Sequence, residues 1–66
     1  MNVRVNGAEH DLPEGATVAD LLTALGLPAA GIAVAVDGEV CTRAWHARTV
    51  LPAGADVEIL TAVQGG

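Results

Sequence analysis

The residues 61–66, Thr-Ala-Val-Gln-Gly-Gly, raise the first question of chemistry, because a terminal Gly65-Gly66 pair offers no side chain at all. Ordering glycine costs more backbone entropy than ordering any other residue, so such a pair adds nothing to the stability of a fold. Chance in a chain with 8 glycines among 66 residues and a cloning scar are the plain alternatives to a functional tail. The other reactive side chains are few. Cys41 is the only cysteine, which excludes a disulfide framework or a cysteine-built zinc or iron-sulfur cluster within one chain. No histidine or lysine adjoins it to activate the thiol, so it reads as a small core or edge hydrophobe. His10 and His46 are isolated and not spaced as a ligand pair, so no metal site is expected; His10 reads as a partly exposed edge residue and His46 as a solvated one. Lysine is absent, which removes side-chain Schiff-base chemistry and lysine-linked self-conjugation.

Charge and size narrow the classes further. A length of 66 residues fits one domain without room for a large cleft. The net charge of −5, with Arg4, Arg43 and Arg48 as the only basic side chains, argues against nucleic acid and anionic membranes and favours a basic protein partner. No apolar run approaches the ~20 residues of a membrane span and no signal peptide opens the chain, so a soluble cytoplasmic protein is expected. Phenylalanine and tyrosine are absent, leaving an aliphatic core with Trp45 as its expected aromatic cap.

The elements that must carry these residues follow from periodicity. Val3 and Val5 alternate with polar neighbours as in a half-buried strand, Asn6-Gly7 makes a tight turn, and a second strand returns with Leu12 inward. Thr17 is placed to cap a helix, with Asp20 three residues on. Val18, Leu21, Leu22 and Leu25 form its apolar stripe, and Gly26 with Pro28 ends it. Ile32, Val34 and Val36 share one face of a third strand and Ala33 and Ala35 the other. Asp37-Gly38 turns the chain so that Glu39 and Cys41 fall on the face of Val36. The segment from Thr42 to Asp56 reads as a loop with a helical turn and a brief strand at Thr49 to Leu51. A last strand follows with Val57 and Ile59 inward, which leaves Leu60 and Ala62 beside Ala33 and Ala35 on the face away from the helix. Together these make an α+β domain over residues 1–62, with a mixed four- to five-stranded sheet under one main helix and a flexible tail at 63–66.

This order resembles the β-grasp, or ubiquitin-like, fold. The segments MNVRVNG, ATVADLLTALGL, IAVAVDGEV and TVLPAGADVEI, closed by Gly65-Gly66, are together similar to the ThiS family of sulfur carrier proteins in thiamin biosynthesis. The resemblance implies that the chain is a protein cosubstrate and not an enzyme. It implies that the Gly66 carboxylate is adenylated with ATP on an E1-like (ThiF-like) enzyme, the chain itself binding no cofactor. Sulfur from a donor such as a cysteine desulfurase then converts it to a thiocarboxylate that a thiazole synthase (ThiG-like) consumes. In this scheme Gly65 gives backbone freedom, Val63 and Gln64 add as an extended segment to partner backbone, and Leu60, Ala62, Ala33, Ala35 and Glu58 form the docking face. Val63-Gln64 lacks the aromatic, proline-rich approach of the molybdopterin synthase small subunit, which disfavours that assignment. Carriers for molybdopterin, cysteine or secondary-metabolite synthesis, and an interaction module with an inert tail, remain the alternatives.

Overall fold

In the computed structural model, residues 1–28 and 30–61 are described. Strand β1 (Asn2–Val5) turns into β2 (Ala8–Asp11) with Val5 opposite Ala8. The two intervening residues take the left-handed backbone that this tight turn requires, φ 49° at Asn6 and 85° at Gly7. Asn6 has a second duty. Its side-chain amide mimics a peptide group: Oδ1 accepts from the Ile59 N–H at 2.8 Å and Nδ2 donates to the Ile59 carbonyl at 3.1 Å. The amide thus extends the edge of β1 past the point where its backbone has turned away.

Helix α1 (Val18–Leu25) begins and ends where its sequence directs. The Asp20 N–H donates to Thr17 Oγ1 at 3.2 Å and the Thr17 N–H to Asp20 Oδ2 at 2.9 Å, a reciprocal box that satisfies donors the helix leaves open. Gly26, at φ 71°, closes the other end, its N–H directed to the carbonyls of Leu22 and Thr23. Val18, Leu21 and Leu22 are buried against the sheet, with Leu25 packed at its margin.

The sheet has five strands in the order β2-β1-β5-β3-β4, where β3 is Ile32–Val36, β4 Glu39–Cys41 and β5 Asp56–Thr61. The middle strand, β5, runs parallel to β1 and antiparallel to β3. Inward Val3, Val34 and Val57 of β1, β3 and β5 are almost fully buried and share one core cluster with Val18 and Leu21 of α1 and with Leu51. This is the β-grasp architecture expected from the order of elements.

Two expectations fail in the connection after β4. Trp45 does not cap the core; it is 55% exposed, with the Arg48 guanidinium 5.6 Å from its ring centroid. His46 is not solvated but buried, at 4%. A 3-10 turn over Arg43–Trp45 explains both, since at three residues per turn it swings Trp45 outward and carries the next residue under α1, where the His46 carbonyl accepts the Ala19 N–H at 3.0 Å. The strand expected at Thr49 to Leu51 reduces to one bridge between Val50 and Thr17.

Candidate functional site

The face of the sheet opposite α1 carries the candidate site. Alternation along β3 and β5 sends Ala33, Ala35, Glu58 and Leu60 outward, and the antiparallel register sets Leu60 across from Ala33 and Glu58 across from Ala35. These four expected residues therefore form one contiguous patch. Small alanines on β3 leave Leu60 standing proud at 68% exposure, with a hollow on either side of it. One hollow, about 130 Å³, lies toward β4 among Ala33, Ala35, Glu58 and Val40; the other, about 380 Å³, lies toward Gly31, Ile32 and Thr61.

Val40 belongs to the patch and was not among the expected residues. It pairs with Ala35 from the far side of β3 and is 76% exposed. The signal was present in the tight Asp37-Gly38 turn, which sets Val36 opposite Glu39 and so places the next β4 residue on the Ala35 face. Ala62, Val63, Gln64, Gly65 and Gly66 lie outside the described residues, as does the proposed tail at 63–66.

The patch is apolar at its centre and acidic toward β1. Glu58 and Asp56 share its face, with Arg4 opposite Asp56 in the parallel register. A rim of this sign suits a partner whose own apolar contact is bordered by basic groups. Among the described residues no group of three or more His, Cys, Asp or Glu could hold a metal ion. The Cys41 thiol is buried and donates to Thr49 Oγ1 at 3.3 Å, so it joins β4 to the loop beneath it. His46, also buried, leaves Nδ1 without a hydrogen-bond partner.

A five-stranded mixed sheet with β5 at its centre and one covering helix defines a β-grasp domain, here with an apolar patch on its outer face. Within that class the chain belongs to the ThiS family, whose model matches residues 3–66, and it is a small carrier protein and not a catalytic enzyme. It is similar to the crystal structure of the thiamine biosynthesis protein ThiS from Geobacter metallireducens, at 35% identity and TM-score 0.83, covering 100% of both chains. The NMR solution structure of a thiamine biosynthesis protein from the same organism is also similar, at 36% identity and TM-score 0.80, covering 100% of this chain and 88% of that one. No curated protein sequence matches significantly. No helix among the described residues is long and apolar enough to cross a membrane.

Proposed function

We propose that this protein carries sulfur for thiazole formation in thiamin biosynthesis, with the carboxylate of Gly66 as the reacting group. The observation that carries the proposal is similarity along the whole chain to a structure described as a thiamine biosynthesis protein. A carboxylate is a poor acyl donor, so its oxygen first attacks the α-phosphorus of ATP on an E1-like enzyme, releasing pyrophosphate and forming an acyl-adenylate. Hydrosulfide then forms the C–S bond as the C–O bond to AMP breaks, and the resulting thiocarboxylate passes to a thiazole synthase; a persulfide donor gives an acyl disulfide instead, which a thiol cleaves to the thiocarboxylate as it forms a disulfide with the donor.

The chain supplies placement for this chemistry, and ATP stays with its partner. The Leu60 patch adjoins the end of β5 at Thr61, so a partner seated on it is brought beside the segment that leads to Gly66. Intermolecular docking thereby becomes local delivery. Glycines at 65 and 66 admit the segment to a narrow site without steric conflict.

Intact-mass analysis after incubation with an E1-like adenylating enzyme, ATP and a sulfur donor tests this. One oxygen-for-sulfur exchange is expected. Removing Gly66 withdraws the carboxyl by one residue, about 3.3 Å, and adding a residue after it turns the carboxyl into an amide. Both changes abolish the exchange and leave thermal unfolding unaltered. Wild-type sulfur uptake by either variant would refute the terminal-carboxylate mechanism, and transfer to a recipient other than thiazole synthase would reassign the pathway.

A further inference from the structure

Among the described residues, three of the four exposed large hydrophobic side chains, Val40, Trp45 and Val50, lie around the edge formed by β4, Val40 also lining the hollow beside the fourth, Leu60. No strand covers β4 on its outer side among the described residues. The hairpin register determines which backbone groups stay open there. A two-residue turn makes Val36–Glu39 a hydrogen-bonded pair, and by alternation Val34–Cys41 is the next, so the N–H and C=O of Val40 between them point away from β3. The following carbonyl is spent, because Thr42 accepts from the Trp45 N–H at 2.9 Å.

Beside this open pair, on the helix side of the edge, runs a groove of about 620 Å³ with Val36, Trp45, Val50 and Pro52 among its walls. The Arg48 guanidinium lies over the indole that forms one wall, 5.6 Å from its centroid. Asp37 and Glu39 stand at the turn end of the groove. Asp37 Oδ1 accepts from the Asp56 N–H at 2.9 Å, which fixes that carboxylate on the rim.

We propose that the β4 edge is a second docking site, which takes an extended, basic and apolar segment of a partner protein as an added strand. Its backbone pairs with Val40, one apolar side chain enters the Trp45 groove, and a flanking lysine or arginine meets Asp37 and Glu39. Charge selects this occupant over a second copy of the chain, since each copy carries −5 and brings the same acidic turn to the contact. The site lies on a different border of the sheet from the β5 end, so a partner there leaves Leu60 and Thr61 accessible.

The test is a titration of isotope-labelled protein with a short, end-blocked peptide that alternates lysine with valine, read by NMR. Shifts are expected at the Val40 amide and the Trp45 indole N–H, with no effect at Ala33 or Leu60. Val40→Pro removes the outward N–H at an edge position that tolerates proline and weakens binding about tenfold. Glu39→Lys, which leaves the strand intact, weakens it as well and keeps the test valid should the proline variant unfold. Equal binding of a glutamate-valine peptide, shifts centred on Leu60, unaltered affinity in folded Val40→Pro, or concentration-dependent self-association through Val40 would each overturn the proposal.

Discussion

Leu60→Glu separates docking from folding, and its effect follows from the exposure of the side chain. Complete burial of a leucine side chain is worth about 1.5–3 kcal/mol. Leu60 is 68% exposed in the free protein, so about two-thirds of that, roughly 1–2 kcal/mol, is left for a partner to recover. Removing it raises the Kd for the adenylating enzyme about 5- to 30-fold, and the new carboxylate near Glu58 moves the result toward the upper figure. The fold scarcely registers the change, because Leu60 lies on the open face and the backbone pairing of β5 is retained. A surface substitution of this kind stays within about 0.5 kcal/mol, or roughly 2–4 °C in Tm for a domain of this size. Calorimetric titration against the enzyme, paired with thermal unfolding of the carrier alone, reads both quantities. An unchanged Kd with intact unfolding would refute the patch as a docking face, while a fall in Tm well beyond that range would show that Leu60 supports the fold.

The remaining predictions concern stability and association. His46→Leu replaces a buried ring whose Nδ1 has no partner with an apolar side chain, and urea unfolding should show a gain of about 1 kcal/mol; a loss of that size would mean that Nδ1 is satisfied in solution. Asn6→Gly keeps a residue tolerant of the left-handed turn but deletes both side-chain bonds to Ile59. It should cost about 1–2 kcal/mol and speed hydrogen exchange at the Ile59 amide, whereas unaltered exchange would deny the amide its bridging role. Association with the adenylating enzyme should slow as ionic strength rises, because Asp56 and Glu58 border the patch. A rate independent of salt in stopped-flow mixing would remove steering from the account.

Where sequence reasoning succeeded, one local force dominated. Asn6-Gly7 and Asp37-Gly38 could be read because the tight turn demands a backbone that few residue types adopt, and once both turns are fixed, alternation assigns every strand residue a face. Thr17 and Gly26 bounded the helix for the same kind of reason. The connection after β4 resisted because a 3-10 turn has neither period, and the residue that it brings under α1 is marked by a tertiary contact, the Ala19 N–H bonded to the His46 carbonyl. The bridging duty of Asn6 was hidden too, since its partner lies 53 residues away. For the patch, sequence supplied Ala33, Ala35, Glu58 and Leu60 but missed Val40, which the hairpin register brings across β3.

The side-by-side, parallel course of β1 and β5 has a mechanical consequence. The Arg4 N–H bonds the Ala55 carbonyl at 2.8 Å and the Asn6 N–H bonds the Val57 carbonyl at 2.9 Å, while the other flank of β5 is held by β3 along five residue pairs. Tension applied at Thr61 against the opposite end of β1 is directed along these strands. It strains the cross-links together in shear, where an edge strand pulled sideways would peel one bond at a time. A partner that grips the chain beyond Thr61 and draws it inward therefore tugs on the best-anchored strand of the domain, and the body of the carrier behaves as a rigid handle.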